Sequence, residues 1–129
     1  MIDLTGLKVL VVEDEGSVAF MIEDMLQDLG CIVEASVARL EDARRIADAA
    51  AVDLAVLDVN LNGSPVFPVA EILRRRGIPF VFSTGYGASG VSEEFRNYPI
   101  LSKPFKIEDL QQKLAAAFEG SDRLTATAK

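Results

Sequence analysis

The 129-residue chain contains no histidine and one cysteine. The first absence removes imidazole acid–base catalysis and every histidine-containing metal site; the second leaves Cys31 without a partner for an internal disulfide. Cys31 follows Gly30 in an apolar run, where a thiol fills core. Basic residues are scarce as well: 13 Lys and Arg stand against 20 Asp and Glu, for a net charge of −7 and a pI near 4.5. Nucleic-acid affinity comes mostly from cations meeting phosphates, so an acidic chain without a basic stripe is unsuited to DNA, RNA or an anionic membrane surface. No apolar run approaches the roughly 20 residues that cross a bilayer, and the start, MIDLTGLKVL, lacks a basic segment followed by a long apolar one. The expectation is a cytoplasmic protein.

What is present describes one packed domain. Half the residues are hydrophobic, 26% are charged and mean hydropathy is +0.24, a composition that builds a core rather than a disordered chain. Short continuous apolar runs at 8–12, 53–57 and 78–82 suit strands buried on both faces of a parallel sheet. Weaker runs at 31–35 and 99–102 suit strands at or near its edges.

Between these runs the apolar spacing becomes helical. Val18, Ile22, Met25 and Leu29 form one stripe, ended by Gly30; Leu40, Ala43, Ala47 and Ala50 form a second, with Ser36 as N-cap. Val66, Val69, Ala70 and Leu73 form a third, with Pro65 in its first turn, and Ile107, Leu110, Leu114 and Ala117 form the fifth. Residues 88–97 make a weaker fourth helix. Residues 1–118 are thus expected to be the domain and 119–129 a short frayed tail, with no output domain. Strands alternating with helices specify an open α/β sheet with right-handed crossovers, and ligands of such sheets bind beyond the carboxyl ends of the strands.

At those ends stand Glu13, Asp14 and Glu15 after the first strand, Asp58 after the third, Ser83 and Thr84 after the fourth, and Lys103 after the fifth. Two carboxylates about 5 Å apart repel by about 3 kcal/mol at an effective dielectric near 20, so gathered acids need compensation from a cation. Hard oxygens suit Mg²⁺, which often bridges to phosphate. Asp58 is then a candidate nucleophile toward phosphorus, with a threonine hydroxyl and a lysine ammonium available to the phosphoryl oxygens. Gly85-x-Gly87-x-x-Gly90 superficially matches a dinucleotide fingerprint. That fingerprint belongs after the first strand, however, where this chain carries three acids that repel a pyrophosphate.

Four separated motifs in order, VVEDE, LAVLDVN, FSTG and LSKPF, make residues 7–118 resemble the response-regulator receiver domain of two-component signalling. The resemblance implies a doubly wound, flavodoxin-like sheet of five parallel strands in the order 2-1-3-4-5, flanked by five helices. It implies Asp14 as a direct Mg²⁺ ligand, with Mn²⁺ as a substitute, Glu13 acting through water, and the Asn60 backbone carbonyl as a further ligand. It also implies Asp58 as phosphoacceptor, Thr84 as switch hydroxyl, Lys103 as conjugate cation, the Gly85 amide as a donor to a phosphoryl oxygen, and a cis Lys103–Pro104 bond. The phosphoryl donor would be a sensor histidine kinase, a phosphotransfer protein or a small phosphodonor. Output would pass through the fourth helix, fifth strand and fifth helix to another protein, unless the domain serves as a phosphate sink; the chain itself would be a switch rather than an enzyme.

Three features depart from the commonest receiver pattern. Glu13 replaces the first aspartate of the acidic pair, Ile100 stands where many receivers carry a mobile aromatic residue, and the FxTGYG segment is similar to a subgroup rich in single-domain receivers. The glycine-rich loop carrying Tyr86 is therefore expected to move in place of that aromatic. A Mg²⁺-dependent phosphatase with an aspartyl-phosphate intermediate is the alternative, but it wants an acid two residues after the nucleophile, where this chain has Asn60. A flavodoxin-like cofactor carrier would need Ser, Thr and Gly, not acids, after its first strand.

Overall fold

The computed structural model describes residues 3–128, so the ends of the expected unit, residues 1–2 and 129, lie outside the described residues. Five strands, β1 (Lys8–Val12), β2 (Ile32–Val37), β3 (Leu54–Asp58), β6 (Phe80–Thr84) and β7 (Ile100–Ser102), pair in parallel in the order β2-β1-β3-β6-β7. This is the expected 2-1-3-4-5 sheet. Two further strands, β4 (Asn60–Leu61) and β5 (Ser64–Pro65), form a small antiparallel hairpin just beyond β3.

The continuous apolar runs are explained by helices on both faces. Helices α1 (Gly16–Asp28) and α4 (Ile107–Ala128) bury Ile22, Leu26, Leu110 and Leu114 against Val9, Val11, Val56 and Val81. Helices α2 (Leu40–Ala49) and α3 (Phe67–Arg75) bury Ala43, Ala47, Val69 and Leu73 against Leu10, Leu57, Phe80 and Phe82 on the other face. Successive strand residues point to opposite faces, so each strand feeds both cores. Val56, Leu57, Val81 and Phe82 are each fully buried, and one such side chain is worth about 1.5–3 kcal/mol of hydrophobic transfer. Among the described residues no helix is long and apolar enough to cross a membrane.

Among the described residues four helices flank the sheet, not five. In place of the expected fourth, the chain forms two 3₁₀ turns, Gly87–Gly90 and Glu93–Phe95. Gly87 just before the expected helix and Gly90 within its first turn raise its entropy cost, and Gly87 adopts φ +59°, outside the helical region. Phe95 instead anchors the segment, stacked on Phe67 with centroids 5.7 Å apart and packed edge-on against Phe82 at 5.9 Å.

Smaller expectations shift too. β2 runs to Val37, so Ser36 lies inside a strand, its hydroxyl donating to Glu23 Oε2 at 2.9 Å, and α2 starts from Arg39 without a side-chain cap. Glu41 and Asp42 in its first turn answer the helix dipole instead. Pro65 belongs to β5, and Pro68 takes the early position in α3. α4 continues to Ala128, so residues 119–128 are helical where a frayed tail is expected.

Candidate functional site

The parallel register aligns the strand ends. Val12 pairs with Leu57 and Asp58 with Ser83, so Glu13, next after β1, stands beside Asp58. Val11, Val56, Val81 and Leu101 all belong to the α1/α4 core. Two residues further on, alternation brings Glu13, Asp58, Ser83 and Lys103 to that same face at the sheet's rim. Thr84 takes the opposite parity.

Carboxylate oxygens of Glu13, Asp14 and Asp58 all lie within 4.8 Å of one another. Lys103 Nζ faces them, 2.9 Å from Glu13 Oε1 and 3.5 Å from Asp58 Oδ2. The peptide before Pro104 is cis, and the Lys103 amide donates to the Thr84 carbonyl at 2.9 Å. Asp14 Oδ2 accepts the Asn62 amide at 2.8 Å, and the Asn60 amide approaches Asp58 Oδ1 at 3.4 Å. Asp14, Asp58, Asn60, Thr84, Gly85 and Lys103 line one open cleft of about 640 Å³. Glu13 lies beneath it, only 2% exposed.

Crowding sets the charge states. Burial, followed by hydrogen bonding to Glu13 and Asp14 and repulsion from Glu13, pushes the Asp58 carboxyl up to about 7, against the opposing pull of Lys103. Burial also acts to raise Asp14, but hydrogen bonds from the Asp58 carboxyl, the Asn62 amide and Glu13 hold it below the usual carboxylate range. Lys103 is held above its ordinary value: burial disfavours its charge, and Glu13 and Asp58 more than restore it. Asp14 and Asp58 thus share a proton, and Asp58 is the carboxyl that keeps it to the higher pH.

These residues fit a hard divalent cation. Three carboxylates offer oxygens to one point, and among the described residues the buried Glu13 Oε1 has no aligned hydrogen bond, its contact with Lys103 being one of charge. Carboxylates with waters are the donor set of Mg²⁺ and Mn²⁺ rather than of a thiophilic metal. Lys103 alone leaves the trio undercompensated, which the elevated Asp58 records.

On the other side of Asp58, Thr84 is 3% exposed and its hydroxyl accepts the Tyr86 amide at 3.0 Å. A Cβ on Gly90 would lie 2.9 Å from Thr84 Oγ1, so this glycine is required for close approach rather than for freedom. The loop is less unrestrained than its three glycines suggest: the Ser89 hydroxyl donates to the Tyr86 carbonyl at 2.7 Å, while the Tyr86 ring stands 78% exposed. Ile100 is half-buried against the α2/α3 core.

Two contributors escape the sequence reading. Asn62 (φ +51°) and Gly63 (φ +88°) form the tight turn of the β4–β5 hairpin, and that turn delivers the Asn62 amide to Asp14. The Asn-Gly pair is the usual mark of such a turn and was the signal available. Phe67, the first residue of α3, lines the cleft, which no periodicity could reveal. The Asn60 side chain, for its part, is occupied: its Oδ1 accepts the Gly63 amide at 2.6 Å. A carboxamide is in any case no general acid beside Asp58.

A family model described as the response regulator receiver domain matches residues 9–115. No curated protein matches the sequence. Among solved structures the chain is similar to SdrG from Sphingomonas melonis Fr1, with 42% identity over 91% of this chain and 98% of that one and a TM-score of 0.76. It is similar also to the receiver domain of the sensor histidine kinase PA1611 from Pseudomonas aeruginosa PAO1, solved with a magnesium ion coordinated in its active site cleft, at 25% identity over 89% and 99% of the chains and a TM-score of 0.70. The response regulator PhyR from Brucella abortus, 23% identical over 97% of this chain and 53% of that one, shares the fold at a TM-score of 0.83. With its motifs, sheet order and acid–lysine cluster in agreement, the chain belongs to the response regulator receiver domain family.

Proposed function

We propose that the protein is a phosphorylation-controlled signalling switch in which Asp58 takes a phosphoryl group from a histidine kinase, a phosphotransfer protein or a small phosphodonor. The observation that carries this reading is the convergence of Glu13, Asp14 and Asp58 within 4.8 Å, opposite Lys103. Asp14 and Asp58, with the Asn60 carbonyl and Glu13 through water, would hold Mg²⁺ or Mn²⁺. Once bound, that ion neutralises charge on the phosphoryl oxygens.

The chain's own groups do the rest. Asp58 supplies the attacking oxygen, and losing its shared proton makes it a nucleophile. Lys103, already poised between Glu13 and Asp58, can turn its ammonium to a phosphoryl oxygen. Thr84 releases the Tyr86 amide to do the same, and the Gly85 amide at the cleft wall supplies a further donor. Output then passes to a partner protein through the surface of the 3₁₀ segment, β7 and α4, unless the domain acts as a phosphate sink. It is a phosphoacceptor, not an enzyme with an external substrate.

Incubation with acetyl phosphate and Mg²⁺ tests this. One added phosphoryl mass in the wild type, absent in Asp58→Asn, is expected; turnover of varied phosphate esters without a stable mass gain would instead identify a phosphatase.

A further inference from the structure

Ser83 is fully buried, and among the described residues its hydroxyl has no hydrogen-bond partner. A hydroxyl left unpaired in a strand interior is costly, and valine or alanine would avoid the cost. Its position is not arbitrary. Ser83 pairs in register with Asp58 on the neighbouring strand, and Val81 and Val56, two residues earlier on each strand, share the α1/α4 core. Both side chains therefore project from the same face. Neighbouring strands lie about 4.8 Å apart, a separation at which paired side chains on one face meet. Lys103 Nζ, meanwhile, is 3.5 Å from Asp58 Oδ2 but 2.9 Å from Glu13 Oε1.

We propose that Ser83 is a further participant in the phosphoryl chemistry: its hydroxyl donates to the Asp58 carboxyl oxygen that Lys103 leaves when its ammonium turns to the phosphoryl group. The inference rests on the reading of Asp58 as phosphoacceptor. It assigns Ser83 to the dephosphorylation step. There a water oxygen bonds to phosphorus, the bond from phosphorus to the Asp58 oxygen breaks, and its electron pair returns to the carboxylate. The water's surplus proton leaves on inorganic phosphate. Negative charge grows on both carboxylate oxygens as the bond breaks, so a donor to one of them stabilises the transition state more than the acyl phosphate. Rotation about the single Ser83 χ1 bond redirects the hydroxyl without moving the strand.

The experiment follows the decay of the acetyl-phosphate-generated, Mg²⁺-bound phosphoprotein by intact mass after the donor is removed. Asp58→Asn serves as blank, and Ser83→Ala and Ser83→Thr as variants. One neutral hydrogen bond corresponds to about threefold to tenfold in rate, so Ser83→Ala should hold its phosphoryl group that much longer. Ser83→Thr, which keeps the hydroxyl on a strand-favouring side chain, should decay near the wild-type rate. The melting temperature of Ser83→Ala without metal should equal or exceed that of the wild type, because the hydroxyl has no partner to lose there. Decay of Ser83→Ala at the wild-type rate, equal slowing in both variants, or a lowered melting temperature for Ser83→Ala would each overturn the assignment. A wild type that gains no phosphoryl mass would defeat the underlying reading of Asp58, a separate result.

Discussion

Asp58 carries the clearest consequence of the site's crowding. Its carboxyl titrates in the folded protein at about 7, above the ordinary value of 3.8 that it regains on unfolding. Between those values the folded state holds a proton that the unfolded state has released, so this residue makes stability fall as pH rises from about 4 through 7. The penalty is complete above 7 and absent below 4. Asp58→Asn should therefore melt higher than the wild type in metal-free buffer at pH 8. That gain should shrink steadily as the pH is lowered toward 4; calorimetry across this range checks it, and a pH-independent difference would contradict the shared proton. Asp58, Glu13 and Lys103 were legible as site residues because strand ends concentrate function in an α/β sheet. Which acid is the protonated one was not, since burial and neighbours decide it.

Among the elements, the segment from β6 to β7 differs most from expectation. Its glycines suggest a hinge and its length a helix, yet it forms two 3₁₀ turns pinned by Phe95 and held against Thr84 at Gly90. Gly90→Ala places a Cβ 2.9 Å from Thr84 Oγ1. Thr84 must then give up its contact with the Tyr86 amide, at a cost of about 1–2 kcal/mol in unfolding free energy, measurable by urea titration. Because the ring of Tyr86 is exposed and Ile100 is not aromatic, signal movement in this protein is expected in the Tyr86 loop. Backbone relaxation with and without beryllofluoride should show the amides of residues 85–90 changing their microsecond–millisecond exchange; equal exchange in both states would exclude the loop. Neither the close approach at Gly90 nor the Phe67–Phe95 stack is visible in sequence, because the first depends on how the loop folds back on Thr84 and the second on how α3 meets the sheet.

For the whole molecule, the deciding quantity is the concentration of negative charge at one rim of an already acidic protein. On the proposed reading, saturating Mg²⁺ would bind the folded trio and not the dispersed carboxylates of the unfolded chain, so at about 100 times its dissociation constant it should add roughly 2.7 kcal/mol. For a domain of this size that is a rise of several degrees in melting temperature. Asp14→Asn and Asp58→Asn should each lose most of it, and an unchanged wild-type melting temperature would exclude a metal at the rim.

The order of apolar runs and helical stripes was enough, by itself, to determine the parallel sheet, four of the five expected helices and the strand ends where the acids and the lysine stand. Hydrophobic period is a local property, written in consecutive residues, and it survives without knowledge of the fold. The hairpin amide on Asp14, the buried hydroxyl of Ser83 beside Asp58, the place of Glu13 beneath the cleft and the proton on Asp58 were decided only by tertiary structure. Each depends on distances between strands far apart in the chain, and on the loss of water that occurs when those strands pack.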